Sequence, residues 1–127
     1  IVENNSHGIL TCTRLGKDYA YPNFYTEVVI DKLTDKETVK LGFTTTAKTK
    51  PLVIDELRAS VRDKDIELND KTTIREMLTY IVTDSGAMEA EHNCHDDCVM
   101  SLALANHVHE GVWTPIESTD EYYQEMV

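Results

Sequence analysis

The chain has 127 residues, 41% of them hydrophobic, which suits one domain with a single core and argues against disorder. Twelve basic residues against 23 acidic ones give a net charge of −11, which argues against tight, autonomous nucleic-acid binding, where neutralisation of phosphates by Lys and Arg dominates affinity. No apolar run approaches the ~20 residues of a membrane helix and no signal-peptide pattern opens the chain, so the sequence reads as soluble and cytoplasmic.

The chain opens at Ile1-Val2-Glu3, inside a strand-like run and without methionine, which predicts that it is part of a longer protein. Its charge is uneven. From Lys36 to Lys50 there are four lysines and one acid, whereas Glu117 to Val127 is acidic with no basic residue. Such a distribution allows a local basic face on an acidic body. Three cysteines at irregular spacing, Cys12, Cys94 and Cys98, fit free thiols in a reducing compartment better than a disulfide framework.

Ile1 to Glu3 reads as the end of a short strand, and Asn4-Asn5-Ser6 as cap chemistry for a helix running to about Gly16, with Ile9, Leu10 and Leu15 as its apolar positions. Gly8 inside that helix costs roughly 1 kcal/mol against alanine, so either another backbone passes close by or the glycine is tolerated. Phe24 to Ile30 is a β-branched and aromatic strand, Asp31 to Lys36 a turn, and Thr38 to Thr44 its partner strand. After a polar loop, Pro51 fits the first turn of a helix carrying Ile54, Leu57 and Val61.

Ile66 to Leu68 is a short extended piece. Thr73 and Glu76 form a capping-box pair for a helix with Ile74, Met77, Leu78 and Ile81 on one face, ended by Ser85-Gly86. Ala87 to Ala90 is a brief strand. The last helix runs from His95 to about Val108; its segment Val99 to Ala105 is apolar nearly all round, which predicts burial, and Gly111 stops it. The pattern is α/β, with a mixed sheet flanked by helices. No GxxxxGK[ST] motif is present to grip a nucleotide phosphate.

Asp96 and Asp97 open this apolar last helix. Acids there interact favourably with the positive end of the helix dipole, a sufficient reason for their presence. The alternative is that a buried helix holds two carboxylates at the edge of a core, where a divalent cation removes their mutual repulsion and oxygen ligands select Mg²⁺ or Mn²⁺. Glu3 ends a strand directly before a helix, and carboxyl ends of strands are where α/β sheets usually bind ligands. A solvated edge residue is the competing reading.

The stretch GAMEAEHNCHDDCVMSLALA (Gly86 to Ala105) resembles the end of the nuclease domain of phage terminase large subunits, with the pattern HDD-x-V-x-x-L-A on the last core helix. IVENNSHG (Ile1 to Gly8) resembles the second acidic motif of that family, and KLGFTTTAKTKPLVIDEL (Lys40 to Leu57) its hairpin, Thr/Lys loop and helix. The three motifs occur in the family's order and cover the chain to about Pro115. The resemblance implies residues 1–115 as the C-terminal part of an RNase H-like nuclease domain lacking its opening strands, and residues 116–127 as an acidic tail. It implies Glu3 as the second carboxylate of a two-metal site, Asp97 as the third and Asp96 as an auxiliary ligand. The first carboxylate would precede Ile1, leaving this fragment inactive alone; Asp31 also ends a strand but reads better as a turn residue.

The implied chemistry is two-metal hydrolysis of concatemeric DNA, with Mg²⁺ or Mn²⁺ ions ~4 Å apart activating water and stabilising the departing 3′ oxygen. Lys48 and Lys50 are candidate contacts to the backbone of double-stranded DNA, and His95 a candidate to orient Asp96 or a water. Implied partners of the full-length protein are the portal and a small terminase subunit, in the host cytoplasm; no membrane role is implied. A resolvase- or transposase-type RNase H-like nuclease would share the carboxylates. A structural zinc module built from His92, Cys94, His95 and Cys98 is the different-class alternative, although one short stretch rarely wraps a tetrahedron by itself.

Overall fold

The computed structural model describes residues 1–109. They form a mixed α/β arrangement of helices and two small antiparallel sheets. The expected stop at Gly111, and the division into residues 1–115 and an acidic tail, lie outside the described residues. No helix among the described residues is long and apolar enough to cross a membrane.

The first segment meets the chain 40 residues on through a parallel bridge between Glu3 and Phe43. Asn4 N donates to Phe43 O at 2.7 Å, and Phe43 N to Val2 O at 2.8 Å. The two asparagines expected to cap a helix bond across instead. Asn4 Nδ2 donates to Leu41 O, while the Asn5 amide takes the Thr45 N–H at 3.1 Å and donates to the Thr45 carbonyl at 2.8 Å. An asparagine side chain carries both a donor and an acceptor, so it can extend a ladder its own backbone has left.

Helix α1 is Gly8–Thr13, continued by a π-helical turn at Arg14–Asp18. Its expected apolar positions Ile9 and Leu10 are exposed, and Cys12 is the buried residue of the element. The choice left open at Gly8 resolves toward close approach: a Cβ there would fall on the Glu3 carbonyl.

Strands β1 (Thr26–Ile30) and β2 (Glu37–Leu41) pair antiparallel from Thr26↔Leu41 to Ile30↔Glu37. Asp31 closes the turn, its Oδ1 accepting from Leu33 N at 2.8 Å. That hydrogen bond and one from the Thr34 side chain lower the Asp31 carboxyl below its usual range, consistent with a turn residue. The hairpin is thinly packed: Val28, Val29, Ile30 and Val39 are all exposed.

Thr46 and Thr49 exchange hydrogen bonds, each hydroxyl accepting the other's backbone N–H, and so start α2 (Thr49–Asp63) two residues before Pro51. Helix α2 buries Val53, Ile54 and Leu57, while Val61, expected on the same face, is exposed. Lys64 in the left-handed region ends it. Ile66 rests against the core without strand pairing.

Helix α3 is Lys71–Leu78, and its cap is Asp70, whose side chain accepts from Thr73 N. The expected Thr73–Glu76 capping box is therefore absent, and Glu76 reaches elsewhere. The expected helical position Ile81 lies instead in β3 (Tyr80–Val82), which pairs antiparallel with β4 (Met88–Ala90). The run Tyr80-Ile81-Val82-Thr83 is aromatic and β-branched, and strand propensity prevails over the 3.6-residue pattern there. Gly86 lies in the tight turn of this second hairpin with φ +83°, rather than at a helix end.

Helix α4 spans Asp97–His109 and starts two residues later than expected. It buries Val99, Ala103 and Leu104 against Val53, Ile54 and Leu57 of α2 and against Phe43. Ser101 and Ala105 are exposed, so its apolar segment is buried on one side only. Near its end, His107 Nδ1 lies 2.6 Å from Glu56 Oε2 of α2, with the imidazole edge-on to Phe43. The expected single mixed sheet is not formed among the described residues. Two separate hairpins stand in its place, because the Ile1–Asn5 segment contributes one parallel bridge and then hands its pairing to side chains.

Candidate metal centre

Phe43 is 2% exposed and belongs to the core that α2 and α4 share, so whatever pairs with it is brought to the side of those helices. Glu3 is that residue. The result is a cleft of about 590 Å³ whose walls include Glu3, Thr45, Lys50, Asp96, Asp97 and Ser101. Carboxylates more than 90 positions apart in the sequence therefore line one space.

Within it, Asp96 is half-buried and Asp97 exposed. Lys50 Nζ lies 3.3 Å from Asp96 Oδ2 and 5.8 Å from the centre of the Tyr80 ring. Burial works against the Lys50 ammonium, but the Tyr80 hydroxyl and the Asp96 carboxylate outweigh it and raise the amine above its ordinary value. Burial likewise raises the Tyr80 hydroxyl, opposed by the Lys50 charge. Because the folded lysine value is raised, the stability this pairing contributes is complete below the ordinary lysine pKa. It is lost as pH rises through the raised one.

The donors suit a hard cation. Three carboxylates, the Thr45 hydroxyl and the Ser101 hydroxyl are all oxygen ligands of the kind Mg²⁺ and Mn²⁺ select. Thr45 Oγ1 is buried and has no hydrogen-bond partner among the described residues, an orphan that a bound ion or its water would satisfy. Among the described residues, however, no three His, Cys, Asp or Glu side chains converge closely enough to hold an ion by themselves. The cleft is a set of donors around a space, with an ammonium resting on one of them.

The lysines expected on a loop differ in setting. Lys48 is exposed just before α2, whereas Lys50 lies inside the helix and points into the cleft. His95 is exposed, and the hydrogen-bond partner of the Asp96 carboxylate is Lys50 rather than His95. His92, Cys94 and His95 are also exposed, and Cys98 is directed toward α3. Burial and then the Glu76 carboxylate push the Cys98 thiol up, which disfavours the thiolate that zinc requires. Asp31 does not line the cleft.

Three residues of the site escape the motif-based reading. Asn5 fixes Thr45, Thr45 offers the orphan hydroxyl, and Glu76 accepts the Cys98 N–H at 2.7 Å and the Val99 N–H at 3.2 Å, tying the start of α4 to α3. The Asn-Asn pair after a strand-end glutamate was a signal for the first. No local pattern marks Glu76 for a partner so distant in sequence.

No family model, curated protein or solved structure matches the chain.

Replacing Lys50 by methionine removes a positive charge that competes with a cation for Asp96. The expected result is Mn²⁺ affinity raised by roughly two- to fivefold, the scale of a half-exposed ion pair. Titration of the free ion by electron paramagnetic resonance measures it. Weaker Mn²⁺ binding would instead make Lys50 a support of the cleft.

Proposed function

We propose that this chain is the C-terminal part of an RNase H-like endonuclease domain in a viral DNA-packaging terminase large subunit, cutting concatemeric double-stranded DNA with two Mg²⁺ or Mn²⁺ ions. The observation that carries the reading is the shared cleft. Glu3, on the strand-end motif, and Asp96 with Asp97, at the start of the last core helix, line one space although 93 and 94 positions separate them in the chain. Their order and chemistry are those of the family the sequence resembles.

In this reading Glu3 and Asp97 are the principal ligands, Asp96 is an auxiliary one, and the first carboxylate comes from a strand before Ile1. Divalent cations held there would supply activation of water and stabilisation of the departing 3′ oxygen. The chain's own part is to fix the carboxylates on a core helix and a bridged strand, so that little reorganisation accompanies reaction. Exposed Lys48, two residues before the cleft-lining Lys50, is the proposed contact to a backbone phosphate, one that would position DNA without reading its sequence. The portal and a small terminase subunit are the proposed partners of the full-length protein, in the host cytoplasm.

Metal analysis separates this reading from a zinc module. Mn²⁺ binding that depends on Asp97 is the expected result. Stoichiometric zinc, released only by thiol modification, would overturn it.

A further inference from the structure

The first intrahelical bond of α4 runs from Met100 N to Asp96 O at 2.9 Å, so Asp96 is the residue that caps the helix. A capping aspartate ordinarily folds its carboxylate onto the backbone N–H groups two and three residues on, here those of Cys98 and Val99. Both are taken. Glu76 Oε2, arriving from α3, accepts the Cys98 N–H at 2.7 Å and the Val99 N–H at 3.2 Å. The Asp96 carboxylate is left to line the cleft and meets Lys50 Nζ at 3.3 Å.

We propose that Glu76 is a positioning residue of the acidic cleft: by capping α4 from a neighbouring helix it releases Asp96 from that task and turns the Asp96 carboxylate toward a cation. The proposal rests on the metal-dependent reading above for its consequence, but not for its geometry. Two carboxylates compete for two amide donors, and the one without them is free to act as a ligand. Removing Glu76 therefore costs the cleft a ligand without touching the cleft, because Asp96 is drawn back onto its own helix. A glutamine retains the acceptor and spares Asp96, since capping needs an oxygen rather than a charge.

Two measurements on the whole chain test this. The first reads the hydrogen bonds directly, by through-bond NMR coupling between the Cys98 and Val99 amide nitrogens and side-chain carboxyl carbons. The expected partner is Glu76 in the wild type and Asp96 in Glu76→Ala. The second is Mn²⁺ titration by electron paramagnetic resonance. Glu76→Ala is expected to bind Mn²⁺ about tenfold more weakly, as does Asp96→Ala, the scale of losing a group that orients a ligand. The double variant is expected to be no weaker than Asp96→Ala, and Glu76→Gln to stay within about twofold of wild type, as for residues acting through one shared contact.

Additive losses in the double variant would overturn the proposal. So would Glu76→Ala amides that never couple to Asp96, or a Glu76→Ala protein that binds Mn²⁺ normally while Asp96→Ala does not. If Asp96→Ala and Asp97→Ala both leave Mn²⁺ binding unchanged, the metal reading falls instead, and the NMR couplings still decide whether Glu76 displaces Asp96. Should Glu76→Ala not fold, Glu76→Asp, one methylene too short to reach both amides, carries the same measurements.

Discussion

Replacing Asp97 or Glu3 by alanine is expected to abolish Mn²⁺- or Mg²⁺-dependent nicking of plasmid DNA, by at least about a hundredfold, because a carboxylate ligand supports several kcal/mol of transition-state stabilisation. The assay requires a form of the protein that includes the first-carboxylate strand proposed to precede Ile1. Each substitution should leave the fold intact, with stability changed by no more than about 0.5 kcal/mol, as for surface positions generally. Asp97 is exposed, and the Glu3 segment is held through the backbone of residues 2 and 4, not through the Glu3 carboxylate. Circular dichroism and thermal unfolding check that separation. Asp96→Ala should lose less than Asp97→Ala, in keeping with an auxiliary ligand. Full activity in Asp97→Ala or Glu3→Ala would refute the site.

Gly8→Ala poses a contest between two effects of opposite sign. Helix propensity alone favours alanine by about 1 kcal/mol. Against it, the added methyl group falls on the Glu3 carbonyl, which is backbone and cannot rotate away. Overpacking of this kind costs about 1–3 kcal/mol, and more where neither side can give. The clash is expected to win, so the urea midpoint falls. The damage should also reach the cleft, because the atom struck belongs to Glu3, and Mn²⁺ binding should weaken alongside stability. An equal or higher midpoint would mean that the Glu3 segment lies farther from α1 than the structure places it.

Much of this arrangement is legible in the sequence where a residue's role is set by its near neighbours. The β1–β2 hairpin follows from two β-branched runs around an aspartate turn, and α2 from Ile54 and Leu57 at helical spacing. The acidic pair on α4 and the glutamate at Glu3 are legible as motifs, and they do line one cleft. What fails is decided by partners far along the chain. Asn4 and Asn5 have the chemistry of caps, but Leu41 and Thr45, 37 and 40 positions away, offer them better bonds. Glu76 lies at the right spacing for a local box with Thr73, yet Asp70 takes that N–H and Glu76 crosses to α4. At Ile81 two periodicities compete, and strand propensity prevails with Met88–Ala90 as the pairing partner.

The thin packing of the β1–β2 hairpin has a consequence for how the molecule opens. An isolated two-stranded hairpin is marginally stable in water, and amide exchange follows such local differences. Hydrogen exchange should therefore divide the described residues into a slow body, formed by α2 and α4, and a fast arm from Thr26 to Leu41. The arm joins the body at Gly42-Phe43, and Phe43 is anchored both by the core and by the Glu3 bridge. Fraying should stop at that anchor. The molecule then tolerates a loose outer limb while the carboxylate beside Phe43 keeps its place.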